Sequence, residues 1–384
     1  MKPKVIVHIG QSKTGTSAIQ SFLTLSTKQL RDQRVIYPMV TNHGMPLALG
    51  SHNAMADALM GVSSYPFLAA EEYFEQFWRE AEKQDAKTMI LSAEHLFGGQ
   101  PRLWDISDVS EYWELYEQKA SRLSKLLAGA QVEIFVHLRP QIDWLSSTIS
   151  HTIKIERLAS EKQIYRSDEQ FFEMVKPSLD YDKIISIWAD QLKAEKVIVS
   201  PYVKEKLIGR SSVIDFLTRT GIDSEHFPEQ RIHRTINESI SREYIEVKKV
   251  LNATPRTKDD ERLIVHCLKR LSRSSDLGTY YKVDDEVVRA AVDFCDPVNQ
   301  RLMDRFLPAE DFPSRSEYRG ADQPDLTQAQ IDVAMEKFQA EYHSVQSRIW
   351  KTKAQVKSTL RTKARPVHSA LHQLKRLYRV VSRM

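Results

Sequence analysis

Residues 5–23 read VIVHIGQSKTGTSAIQSFL. An apolar strand runs directly into a turn carrying Gly10, Lys13, Thr14, Gly15, Thr16 and Ser17, and then into an amphipathic helix. That order builds a cradle for an anion. Gly10 and Gly15 allow a tight turn and a close approach of backbone to ligand. The first N–H groups of the new helix have no intrahelical partner, and the positive end of its dipole faces the same way. Lys13 adds a full charge at the mouth, and the hydroxyls of Thr14, Thr16 and Ser17 are further donors. The plain alternative is a helix start after a strand with Lys13 solvated.

Working outward, apolar strands alternate with helices: strand 4–9, helix 15–31, an extended VIYP at 35–38, helix 70–84, strand 87–97, helix 109–128, strand 131–140, helix 143–155, helix 180–192, strand 196–202 and helix 211–222. Residues 41–66 read as loop with a short helical patch near 53–59. Such alternation predicts an α/β fold, a three-layer P-loop-like domain with a mostly parallel central sheet. The remainder is helical, over 238–252, 257–273, 285–306 and 327–342. We therefore expect a catalytic domain at 1–342, with an α/β core at 1–222 and a helical part at 223–342. Open parallel sheets bind ligands at the carboxyl ends of their strands. The first loop, the LSAEHLF stretch at 91–97 and HLRPQIDWLSSTISH at 137–151 all fall at such ends.

The position of the lysine decides among anions. A nucleotide-triphosphate loop reads GxxxxGK[ST], with the lysine after the second glycine. Here GQSKTGTS places it between the glycines, and Mg²⁺ ligands are not evident. The segment instead resembles the 5′-phosphosulfate loop of sulfotransferases that use 3′-phosphoadenosine-5′-phosphosulfate (PAPS), of the bacterial carbohydrate or glycolipid type. That resemblance implies that Lys13 contacts the phosphosulfate and that Thr14, Gly15, Thr16 and Ser17 wrap the 5′-phosphate. The stretch at 137–151 looks like the bacterial pattern LRxQxxxLxS. The family's pair for the donor's 3′-phosphate then falls on Arg139 and Ser147, with Ser146 adjacent. The resemblance extends to Lys154 and, near Asn299, to CDPVNQRLMDRFLP. The later RKGxxGDWKN block of cytosolic enzymes is missing; Arg231, Arg234 and Asn237 in RIHRTINESIS are further candidates there.

An acceptor hydroxyl must lose a proton as its oxygen attacks sulfur, and a carboxylate or imidazole within reach provides for that. Many bacterial relatives show LSSE where this chain has LSAE, so Glu94 is the first candidate and His95 the second, with His52 and His151 behind them. Ser92 as a cap with Glu94 and His95 in the first turn is the structural alternative. His8, inside the strand, reads as a packed histidine. No His/Asp/Glu cluster suggests a metal, and the family's chemistry needs none. The polar segment 156–179 is a candidate lid.

Only two cysteines occur, Cys267 and Cys295, too few for a disulfide scaffold. With no secretory signal and no apolar run near the ~20 residues of a membrane span, the expectation is a cytoplasmic protein. Charge is uneven. Eleven of the 55 Lys and Arg lie in 343–384, where no acid occurs, leaving 44 against 51 acids before it. Residues 343–384 read as a basic amphipathic helical tail, interrupted near Pro366, whose SALHQLKRLYRVVSRM at 369–384 is suited to an anionic membrane surface. A solvated or disordered end is the alternative, and no motif points to nucleic acid. The expected function is sulfuryl transfer from PAPS to a hydroxyl of a saccharide or glycolipid. A P-loop nucleotide kinase or NTPase and a catalytically silent membrane-docking scaffold are the rivals.

Overall fold

The computed structural model describes residues 2–42, 45–46, 50–62, 64–99, 102–106, 108–155, 164–229, 239–254, 256–307, 311–315 and 324–362. Arg231, Arg234, Asn237 and the amphipathic stretch 369–384 lie outside them. Two compact units are present. The first comprises 1–148, 167–237 and 283–319; the second comprises 149–166, 238–282 and 320–384. The stretches 1–222 and 223–342 each contribute to both.

The first unit is built on five parallel strands: β1 (Lys4–Ile9), β2 (Val35–Ile36), β3 (Thr88–Ala93), β4 (Val132–Leu138) and β5 (Lys196–Pro201). Their order is β2-β3-β1-β4-β5. Register places Ile9 beside Ala93, His8 beside Phe135 and Leu138 beside Pro201. The strands are apolar almost throughout because both faces are covered, as parallel sheets require. Val5, Val7, Ile9, Met89, Leu91, Ile134, Val136 and Val199 face one layer. That layer holds α3 (Asn53–Ala58), α4 (Ala70–Lys83), α6 (Val109–Leu126), α9 (Tyr181–Leu192) and α13 (Asp285–Phe306). Ile6, Ile90, Phe135 and Ile198 face the other, with α1 (Thr16–Leu25), α2 (Thr27–Asp32) and α10 (Ser212–Thr220). This is the three-layer α/β arrangement expected.

Some elements differ from their expected bounds. The helix expected over 15–31 breaks at Ser26, whose φ of −112° and ψ of 17° leave the helical region. Just before the break, Thr24 Oγ1 donates to the Gln20 carbonyl at 2.8 Å, a local bond of the kind that bends helices. The strand expected over 87–97 ends at Ala93. Glu94 then opens a single helical turn, α5 (Glu94–Phe97), where its carboxylate meets the positive end. Residues 41–46 contain a two-residue antiparallel pair, Thr41–Asn42 with Met45–Pro46. Residues 168–179, in the segment expected as a lid, form α8 (Asp168–Val175) and a 3₁₀ turn, with Phe171, Phe172 and Leu179 buried. They are packed structure; 156–163 lie outside the described residues.

In the second unit, α11 (Arg242–Asn252), α12 (Lys258–Ser272) and α14 (Gln328–Thr362) enclose Tyr244, Ile264, Leu268, Phe338 and Val345. A buried ion pair joins Lys248 to Glu261 at 3.1 Å. α7 (Gln141–Ile155) contributes residues to both units. Among the described residues no helix is long and apolar enough to cross a membrane.

One polar cluster braces β4 against β5 and α10. The buried Asp215 accepts from His137 Nε2 at 2.9 Å, Ser200 Oγ at 2.7 Å, the Ile208 amide at 3.0 Å and Arg219 Nε at 3.0 Å. Burial favours the protonated acid, yet these donors hold the carboxyl well below the usual range. Removing the one acceptor strands all of them. Asp215→Ala should lower unfolding stability by about 3–5 kcal/mol in urea titration at pH 7.

Candidate active site

The chain leaves β1 for β2 and β3 on one side, then returns past β1 to β4 and β5 on the other. Strand order therefore reverses at β1, and the crevice beyond its carboxyl end is the switch point where ligands bind such sheets. The loop after β1, the turn after β3 and the start of α7 after β4 all open there.

The first loop is folded by its own side chains. Thr14 Oγ1 and Thr16 Oγ1 both donate to the Gln11 carbonyl, at 2.7 and 3.0 Å. Both residues are buried, so they have backbone rather than hydroxyl to offer a phosphate. Lys13 and Gly15 adopt left-handed conformations, with φ of 68° and 77°. A Cβ at Gly15 would lie 2.5 Å from Ser212 Oγ and 3.3 Å from the Tyr202 ring; one at Gly10 would lie 2.6 Å from Thr16 Cγ2. Only glycine satisfies position 15. α1 starts at Thr16 with no side-chain cap and no acid in its first turn, so no side chain competes for its leading amides.

Gln11 ties this loop to the end of β4. Its Oε1 accepts from the Arg139 amide at 2.8 Å, and its Nε2 donates to Tyr181 Oη at 2.7 Å. Tyr181 Oη donates in turn to the Arg139 carbonyl at 2.9 Å. Arg139 Nη1 donates to the Lys13 carbonyl at 3.3 Å, and Trp144 Nε1 to the Ser12 carbonyl at 3.1 Å. Arg139, expected at the far phosphate, is thus fastened to the Lys13 loop. In α7 Ser146 is buried and Ser147 half-buried. Lys154 and His151 lie in the second unit. Asn299 exchanges two amide hydrogen bonds with Gln141, at 2.5 and 3.0 Å.

Glu94 is half-buried beside the loop. Burial raises its pKa, while the charges of His95 and Lys13 and a hydrogen bond from Ser17 pull the other way. The acid, the amine and a hydroxyl of the first turn of α1 therefore share one electrostatic environment. His95 has a partner that the sequence alone did not single out: its Nδ1 lies 2.7 Å from Asp57 Oδ1. Asp57 also accepts from Ser64 Oγ at 2.9 Å. Burial pushes Asp57 up, but the hydrogen bond and charge of His95, the Ser64 hydroxyl and the Arg102 charge outweigh it and hold the carboxyl low. In the neutral form of the ring, an ionised Asp57 at that distance favours the tautomer with its proton on Nδ1 and Nε2 as acceptor.

The other two histidines near β3 have structural partners. His52 Nδ1 accepts from the Ser92 amide and its Nε2 donates to the Pro38 carbonyl, each at 2.9 Å. Burial lowers its pKa to about 4, so the ring is neutral and both nitrogens are engaged. His8 Nδ1 meets Ser92 Oγ at 2.8 Å, and burial lowers His8 to about 3. Ser92, the alternative cap, is used there. Among the described residues no group of three or more His, Cys, Asp or Glu could hold a metal ion.

No family model matches the chain, and no curated protein matches it. Among solved structures it is similar to a sulfotransferase from Alicyclobacillus acidocaldarius. The identity is 13%, the match covers 79% of this chain and 95% of the other, and the TM-score is 0.38. A likeness that loose decides nothing about the chemistry.

Gln11 and Tyr181 were not among the expected site residues, nor was Asp57. A buried glutamine in a turn offers no periodic signal, and its partners lie 128 and 170 positions away. The one local cue to Asp57 was its place on a short helix beside His52.

The left-handed backbone at Lys13 costs about 1–2 kcal/mol, as it would for any residue with a Cβ. Lys13→Gly should therefore raise stability, by up to about 1 kcal/mol, since glycine forfeits part of the gain to chain entropy. Gly15→Ala should lower it by at least about 1 kcal/mol. Urea midpoints of the two variants test this; a loss in Lys13→Gly would mean that the ammonium holds the loop.

Proposed function

We propose that the chain transfers a sulfuryl group from PAPS to a hydroxyl, on a saccharide or glycolipid. The observation that carries the reading is the placement of Lys13, Glu94 and Arg139 at the carboxyl ends of three adjacent strands, β1, β3 and β4, where strand order reverses. A lysine between the loop's glycines supports a phosphosulfate over a Mg-bound triphosphate. The leading amides of α1 and the 13–17 backbone hold the donor's 5′-phosphate, and Lys13 steadies the transferring and bridging oxygens. Arg139, with Ser147 or its neighbour Ser146, takes the 3′-phosphate.

In the transfer, the acceptor oxygen bonds to sulfur as the bond from sulfur to the bridging phosphate oxygen breaks. The acceptor's proton passes to Glu94, or to Nε2 of His95, and adenosine 3′,5′-bisphosphate leaves. Burial raises the Glu94 pKa and makes the carboxylate a better proton acceptor. The basic tail supports docking at an anionic membrane surface, where lipid-linked glycans would be met.

Calorimetric titration with adenosine 3′,5′-bisphosphate tests the reading. Saturable binding is expected for the wild type, weakened ten- to a hundredfold in Arg139→Lys through loss of a charged hydrogen bond, about 1.5–3 kcal/mol. Mg-ATP should not compete. Equal affinity for Mg-ATP would favour the kinase reading.

Transfer should also fail on the acid side. Because the Glu94 pKa is raised, its proton-accepting form disappears at a pH above the ordinary glutamate value as pH falls. The acid limb of the rate profile should sit there, and Glu94→Gln should lower the rate by about 10²–10⁴ with donor binding intact. An acid limb unmoved in Glu94→Gln would transfer the role to His95.

A further inference from the structure

The turn that carries Glu94 and His95 is one helical turn long, and its four last carbonyls have no intrahelical amide waiting beyond the Gly98 N–H. Two side chains of α6, three residues apart and so on one face, meet all four carbonyls from His95 to Gly98. Lys119 Nζ donates to the carbonyls of His95 at 3.0 Å and Gly98 at 3.1 Å. Tyr116 Oη lies 3.0 Å from the Leu96 carbonyl and 3.1 Å from that of Phe97, and it accepts from Trp188 Nε1 at 2.9 Å. The ammonium also sits 4.4 Å above the Tyr116 ring. Both residues are wholly buried.

A buried lysine is an expensive way to end a short helix, and neither residue is reached by the donor or acceptor roles assigned above. We propose that Lys119 and Tyr116 are positioning residues: by holding the carbonyls of residues 95–98 they aim Glu94 at Lys13 and His95 at Asp57. The proposal rests on the reading of that turn as the proton-accepting side of the site. Burial lowers the Lys119 pKa to about 7, with the Asp57 charge opposing. A neutral amine still has two N–H groups for two carbonyls, so the hold survives loss of the charge.

The test is the tautomer of His95, read by ¹⁵N NMR on the full chain labelled at histidine. In the wild type the neutral ring should carry its proton on Nδ1, toward Asp57. Lys119→Met keeps the stem and removes the donors; Tyr116→Phe removes one hydroxyl and is the milder variant should the first not fold. In either, His95 should pass to a mixture of tautomers, as it should in Asp57→Asn. Amide exchange over 94–99 should rise at least tenfold. Affinity for adenosine 3′,5′-bisphosphate should stay within threefold of wild type, because the β1 and β4 loops are untouched. An Nδ1 proton retained by His95 in a folded variant overturns the proposal. The readout needs no ligand, so a wild type that ignores the bisphosphate sinks the proposed function while this test still stands.

Discussion

The side-chain amide of Gln11 is the constraint on which the site depends. It lies where two loops from neighbouring strands must be kept in fixed relation without a shared ladder, since β1 and β4 stop pairing at His8 and Phe135. A backbone N–H from one loop, a phenol from α9 and the carbonyl that the phenol reaches form a closed ring of hydrogen bonds with it. All are buried, where an unmade bond costs about 1–3 kcal/mol and a fully made network is correspondingly rigid. The same residue's carbonyl collects the two threonine hydroxyls that shape the loop. Loop conformation and interloop spacing thus meet in one buried residue, with the Arg139 and Trp144 bonds to the Lys13 and Ser12 carbonyls beside it.

A second consequence lies in α9. Tyr181 braces the β1–β4 side, and Trp188, two turns on, anchors Tyr116 and through it the turn after β3. Residues seven apart share a helical face. One rigid helix packed under the sheet therefore references both halves of the crevice. Above that frame the charges divide among elements: Lys13 and Arg139 sit after β1 and β4, Glu94 on the turn after β3 and Asp57 on α3. The left-handed backbone at Lys13 fits this division, because strain persists where surrounding contacts over-determine it.

The α/β class, the parallel sheet and most helices were legible because buried strands and amphipathic helices write themselves as local periodicity. The tight turn from β1 into α1 was legible for a similar reason: its glycines, lysine and hydroxyls sit within eight consecutive residues. Bounds failed where tertiary contacts decide them. The apolar run 87–97 reads as one strand, while its end is a turn closed by the Gly98 N–H and by side chains of α6 that lie more than 15 positions on. Thr14 and Thr16 looked like ligand hydroxyls and are loop-forming ones, a distinction made by which way a side chain rotates. Asp57 and His95 are 38 positions apart, and nothing in either neighbourhood announces the pair.

The exchange of amides between Gln141 and Asn299, together with the Ile142 N–H given to the Ser314 carbonyl at 3.0 Å, spans more than 150 positions. A ribosome delivers every strand of the sheet before residue 202, yet the start of α7 beside Arg139 waits for another hundred residues before its partners exist. During synthesis the sheet and the hydrogen bonds of Arg139 to Gln11, Lys13 and Tyr181 can be complete while Gln141 and Ile142, at the start of α7, still lack their partners. A nascent chain would thus set the two loops of the crevice with the sheet, and lock the first turn of α7 only once Asn299 and Ser314 have followed.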